Sequence, residues 1–170
     1  MLTLLCGLSF SGKSTLAVGL ADELDATVIG LDAINAERGL DGGQGIPGDE
    51  WARTNEIAHK RAETALRQGR QVIVDDTGSP RFVRDNWRAT ARSAGAEFSL
   101  IWVQIDRELQ MDRVRSNRSS QLRPDVIDDV LDEHRASFEE PTPDECAITV
   151  DSRLTADQET TQQLASRVTA

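Results

Sequence analysis

The sequence of 170 residues has no tyrosine, four phenylalanines and three tryptophans, too few aromatics for a platform that stacks successive bases. Positive charge is also short. Nineteen basic side chains face 29 acidic ones, and the net charge of −10 repels phosphate backbones and disfavours binding of long nucleic acids. No stretch approaches the roughly 20 apolar residues of a membrane helix, so no membrane partner is expected and the cytoplasm is the expected location. Cysteine is scarce. Cys6 and Cys146 lie in apolar surroundings with no Cys or His at metal-ligand spacing, and they read as buried free thiols of a reducing compartment. Internal repeats, coiled-coil heptads and low-complexity tails are absent. What remains, 38% hydrophobic and 28% charged residues, is an ordinary globular composition, and the length suits a single domain over 1–170.

Short apolar runs alternate with segments of helical period. Strands are expected at 2–6, 27–30, 71–75, 98–105 and 147–150. Leu16, Ala17, Leu20, Ala21 and Leu24 recur at helical spacing after the first strand. Further helices are expected from about 49 to Gly69, over 84–93, from 107 to about 118, after Pro124, and over 155–168. Between them, 35–49 holds Gly39, Gly42, Gly43, Gly45, Gly48 and Pro47 and reads as a mobile loop without helical period. Strands alternating with helices imply a parallel sheet covered on both faces.

The first strand runs into Gly7-Leu-Ser-Phe-Ser-Gly12-Lys13-Ser14-Thr15, which matches Gly-x-x-x-x-Gly-Lys-Ser/Thr in full. Glycines allow the tight turn that converges backbone N–H groups on an anion, so Gly7, Ser9, Phe10, Ser11, Gly12 and Thr15 are expected around a nucleotide. The following helix presents its positive end. Lys13 reaches the β- and γ-phosphates, and Ser14 offers a hydroxyl to Mg²⁺. ATP and Mg²⁺ are the expected cofactors.

Ligands of open α/β sheets sit beyond the carboxyl ends of the strands. Asp32 follows the second strand and is assigned as the general base for an acceptor hydroxyl. Asp75 ends the third strand and is assigned to the metal, while Asp76 reads as structural. Arginines that close over a γ-phosphate stabilise the spreading charge, and Arg113, Arg115 and Arg118 are placed to do so from a lid over about 107–123. Helical spacing puts Arg115 and Arg118 on one face and Arg113 on another. Arg81 and Arg84 either hold substrate or cap a helix. His59 and His134 have no partner at motif spacing and read as surface or satisfied positions. Trp51 borders the glycine-rich loop, where it can touch substrate.

Taken together, the phosphate loop, Leu31-Asp32-Ala33-Ile34, Val74-Asp75-Asp76-Thr77-Gly78, the arginine cluster and Phe138-Glu139-Glu140-Pro141-Thr142-Pro143-Asp144-Glu145 resemble a P-loop kinase family. That family includes polynucleotide 5′-kinases, gluconate kinases, chloramphenicol phosphotransferase and zeta toxins. The resemblance implies a three-layer P-loop NTPase fold of class α/β, with a five-stranded parallel sheet ordered 2-3-1-4-5 and a small helical lid. It also implies substrate contacts at Asp32 and Thr77. Relatives acting on polynucleotides carry an Arg where this chain has Asn35, and Arg38, one helical turn on, is the expected substitute. Three functions follow: a kinase phosphorylating a hydroxyl of a small molecule, a polynucleotide 5′-hydroxyl kinase, or a nucleotide-dependent switch. The charge favours the first over the second.

Overall fold

Strand β1 (Leu2–Cys6) is buried at every position, as the middle strand of a covered sheet must be. The computed structural model describes residues 1–40 and 45–169. Around β1 run α1 (Lys13–Leu24), β2 (Thr27–Gly30), α2 (Leu31–Glu37), α3 (Gly48–Arg67), β3 (Val72–Asp75), α4 (Arg81–Ser93) and β4 (Phe98–Gln104). Then come α5 (Arg107–Ser120), α6 (Asp128–Ser137), β5 (Ile148–Asp151) and α7 (Gln158–Val168), with 3₁₀ turns at Pro143–Glu145 and Ser152–Leu154. The sheet is parallel throughout and ordered β2-β3-β1-β4-β5, the order that the resemblance implies.

The two-residue period of the strands sorts side chains between two cores. Leu2, Leu4, Val72, Val74 and Leu100 meet α3 and α4 through Ala58, Ala62 and Trp87. Their neighbours Leu5, Ile73, Ile101 and Val103 face the other way, onto Leu16 and Leu20 of α1 and Leu164 of α7. A third, smaller cluster joins Phe10 to Val114, Val126 and Leu131 of the α5–α6 region.

Several sequence expectations shift. The segment after β2 is helical at once: α2 occupies 31–37 and takes in 35–37 of the expected loop, because Leu31, Ile34 and Asn35 give it a buried stripe. Gly42 and Gly43 of that loop lie outside the described residues. The closing helix starts at Gln158 rather than 155, behind the Ser152–Leu154 turn, where Asp157 caps it by accepting from Thr160 N. Cys6 is buried and donates to Gly78 O at 3.6 Å, and burial pushes its thiol up to about 12. Cys146 is exposed, against expectation, since it sits at φ 51° as the 3₁₀ turn ends and is turned outward.

Arg84 is 1% exposed. Its Nε and Nη2 each donate to the Glu145 carboxylate at 2.7 Å, and Nη1 donates to Gly78 O at 2.7 Å and Glu139 O at 2.9 Å. The residue expected to hold substrate or cap a helix instead ties the 138–145 segment to the turn after β3. The guanidinium holds the Glu145 carboxyl down at about 2. A depressed carboxylate stabilises fully above its ordinary value of 4.5, and that contribution disappears as pH falls through about 2. Arg84→Met strands a buried carboxylate and lowers unfolding free energy by about 3–5 kcal/mol in urea titration, and Arg84→Met/Glu145→Leu recovers most of it. A single-variant loss under about 1 kcal/mol overturns this account.

Candidate active site

The phosphate loop links the central strand to α1, and its shape depends on two glycines. A Cβ on Gly7 would stand 2.5 Å from Val103 O, and Gly12 lies at φ 96° against the Thr155 side chain. Phe10, although not glycine, takes φ 65° at the tip. That conformation costs about 1–2 kcal/mol, which burial of its ring, worth about 1.5–3 kcal/mol, offsets. Arg113 anchors the loop from α5, donating to Phe10 O at 2.9 Å, Ser152 Oγ at 2.7 Å and Ser152 O at 2.8 Å. Ser152 passes the tie on by donating to Ser11 O at 2.5 Å. The Ser11 hydroxyl itself is buried with no partner among the described residues.

Lys13 folds back along the loop, and Nζ donates to Gly7 O at 2.9 Å and Leu8 O at 3.0 Å. Burial lowers its pKa, and Asp75 and Asp76 oppose the shift. Asp76 accepts from Trp87 Nε1 at 3.0 Å and Thr77 Oγ1 at 3.3 Å, the structural role expected of it.

A cleft of about 1290 Å³ opens over this loop. Ser9, Phe10, Gly12, Lys13, Ser14 and Thr15 form its floor, and Asp32, Asp75, Asp76 and Thr77 line one side. Trp51, Val83 and Phe138 supply apolar wall, and Arg113, Arg123 and Thr155 the other side. Gly7 and Ser11, expected at the nucleotide, lie beneath this surface rather than on it.

Other expected site residues point away from the cleft. Asn35 is 2% exposed and accepts from Thr54 Oγ1 of α3, because the inward stripe of α2 faces that helix. Arg38 pairs with Glu50 and donates to Thr54 Oγ1 at 2.6 Å. Arg81 is held on the surface by Asp144 at 2.7 Å. Arg115 pairs with Asp112 one turn back. Arg118 reaches Asp125 at 3.0 Å and Asp128 at 2.7 Å, bracing the start of α6. The face that Arg115 and Arg118 share is thus the outer one, and Arg113, set apart by spacing, lines the cleft.

Arg123 is the arginine that sequence reasoning left unassigned. α5 ends at Gln121 in left-handed conformation, and two residues later the guanidinium lies 4.3 Å over the Phe10 ring. Among the described residues no carboxylate pairs with it. His59 is a satisfied position and His134 an exposed one, as expected. His59 stacks on Trp87 at 3.8 Å and shares a 2.7 Å hydrogen bond with Thr90, burial lowering its pKa, and His134 borders the cleft.

Three solved structures share this architecture at low sequence identity. Kti12 of Chaetomium thermophilum, in complex with ADP-AlF3, aligns over 99% of this chain and 97% of its own, with TM-score 0.77 and 17% identity. The APS kinase CysC of Mycobacterium tuberculosis, in complex with AMPPNP and APS, gives TM-score 0.70 and 17% identity over 99% and 97%. A gluconokinase of Sinorhizobium meliloti 1021 gives 0.66 and 16% over 98% and 94%. These likenesses establish the fold. No curated protein matches the sequence. The family model described as an AAA domain matches residues 2–141, and the chain belongs to that P-loop family.

Proposed function

We propose that the protein is an ATP-dependent phosphotransferase that moves the γ-phosphate to a hydroxyl of a small molecule. The observation that carries this reading is the continuity of the cleft. Its volume of about 1290 Å³ exceeds the roughly 300–1,000 Å³ of ordinary one-ligand pockets, and it runs from the phosphate loop to Asp32 and Trp51. A switch needs only the nucleotide half. The kinases among the structural neighbours share the architecture and support the class of reaction, not the acceptor.

Lys13 leaves the Gly7 and Leu8 carbonyls for the β- and γ-phosphates. Asp32 accepts the proton of the acceptor hydroxyl as its oxygen bonds to the γ-phosphorus, the bond from γ-phosphorus to the bridging oxygen breaks, and ADP departs. Arg123 meets the charge spread over the γ-phosphoryl oxygens, and Arg113 holds Phe10 and Ser152 in place. The oxygens of Ser14 and Asp75 on the cleft wall are the hard ligands that suit Mg²⁺, so these residues would hold it. When bound, the ion neutralises phosphate charge. The α5–α6 region acts as the lid of a single domain and excludes water.

Label transfer from γ-labelled ATP to polyols, nucleosides, aminoglycosides and a 5′-hydroxyl oligonucleotide tests the reading. Label on a small alcohol is expected. Label on the oligonucleotide alone makes the protein a 5′-kinase, and slow phosphate release indifferent to every acceptor makes it a switch. On the accepted alcohol, Arg123→Ala lowers kcat by about 10²–10³-fold with little change in the KM for ATP. Arg115→Ala stays within about twofold, because its guanidinium is occupied on the outer surface. Equal losses in both variants overturn the assignment of Arg123.

A further inference from the structure

The sheet order divides the charges of the cleft. On the β4–β5 side of the phosphate loop stand the cations Arg113 and Arg123. On the β2–β3 side, where an acceptor would sit, the charged wall residues are Asp32, Asp75 and Asp76. Of the basic residues near that side in sequence, Arg53 of α3 is exposed and is not among the residues that line the cleft, and three others are committed elsewhere. Arg38 is held by Glu50, Arg81 by Asp144, and Arg84 by Glu145 inside the core. The uncharged remainder of this wall joins polar Asn55, Thr77 and Ser79 to half-buried Trp51, Val83 and Phe138.

With Lys13 and any Mg²⁺ on Asp75 committed to the nucleotide phosphates, an acceptor carrying a carboxylate or phosphate would meet Asp32 and Asp76 with no side-chain cation of this side to pair with. Like charge across a partly desolvated cleft costs binding and slows encounter. We propose that this side of the cleft accepts alcohols that carry no anionic group, neutral or amine-bearing, and lays their apolar face on Trp51. The proposal rests on the phosphotransferase reading and names the acceptor class for it.

The charge of the chamber can be read without turnover, because Trp51 sits in its wall. Trp87 is fully buried and closed to ionic quenchers. In a Trp102→Phe background, fluorescence quenching by caesium and by iodide therefore reports on Trp51. The reverse variant, Trp51→Phe, reports through Trp102 the repulsion due to the chain's overall charge. After normalising each quencher to free N-acetyltryptophanamide, caesium should exceed iodide at Trp51 by about threefold more than at Trp102. Asp32→Asn should narrow that gap. Equal or better access of iodide overturns the proposal and leaves the phosphotransferase reading standing.

The transfer assay then compares glucosamine, glucose and gluconate, which share a hydroxylated carbon chain and differ in charge, and adenosine with adenosine 3′-monophosphate. Within each set the anionic member should be at least about tenfold poorer in kcat/KM. Better turnover of the anionic member overturns the proposal. Caesium preference with no transfer to any alcohol supports the charge assignment and overturns the phosphotransferase reading instead.

Discussion

Lys13→Ala removes detectable ATP binding and all turnover. Among the described residues the buried ammonium group is hydrogen-bonded only to carbonyls of its own loop, at 2.9 and 3.0 Å, and no carboxylate is bonded to it. Burial penalises its charge, and Asp75 and Asp76 lie close enough to oppose that penalty. The charge is thus kept where water solvates it poorly, and a triphosphate is the partner that would satisfy it. Charge-assisted hydrogen bonds contribute about 1.5–3 kcal/mol each, so losing those to two phosphates weakens Kd by about 10²-fold or more, beyond the range of ordinary titration calorimetry. Far-ultraviolet circular dichroism should remain that of the parent, since the methylene stem carries little of the core. Unchanged calorimetric affinity in this variant places the nucleotide somewhere other than the phosphate loop.

Asp32→Asn reduces phosphoryl transfer by about 10²–10⁴-fold while ATP affinity stays nearly constant. Asparagine keeps the size and hydrogen bonding of the side chain and removes only the proton acceptor. Asp32 is exposed in the first turn of α2, on the cleft wall beside Asp75 and away from the cations of the opposite side. Phosphoryl transfer through a loose transition state needs limited help from a base, so a small drop makes Asp32 an orienting group. Full activity on the accepted alcohol removes it from the chemistry altogether.

The phosphate loop was legible because its spacing is local and its chemistry fixes each residue type. The sheet order was legible because it follows from the family resemblance. What stayed hidden depends on partners far along the chain or on missing boundary signals. Helix α2 begins directly after β2 with no side-chain cap, and the polar Asn35 interrupts its apolar stripe, so 31–37 lacks both usual signs of a helix. Periodicity groups Arg115 with Arg118 and separates Arg113, but it cannot say which group faces inward. That is decided by Phe10 and Ser152, more than thirty residues away in either direction. Arg84 read as a substrate-holding or helix-capping arginine because burial of that residue type is rare. Its partner Glu145 lies 61 positions on. Arg123 escaped assignment because it follows the helix end, where helical spacing no longer applies.

Phe10 belongs to two structures at once. Its backbone is the tip of the phosphate loop, while its ring fills the cluster with Val114, Val126 and Leu131 and lies under Arg123. Any shift of the loop tip on binding phosphate therefore moves a ring wedged between α5 and α6, and any movement of those helices tugs on the loop. The two events share one free-energy cycle, so a factor by which nucleotide changes the balance of helix positions is the factor by which helix position changes nucleotide affinity. Leu131, which touches no phosphate, is by this route a determinant of how tightly nucleotide is held.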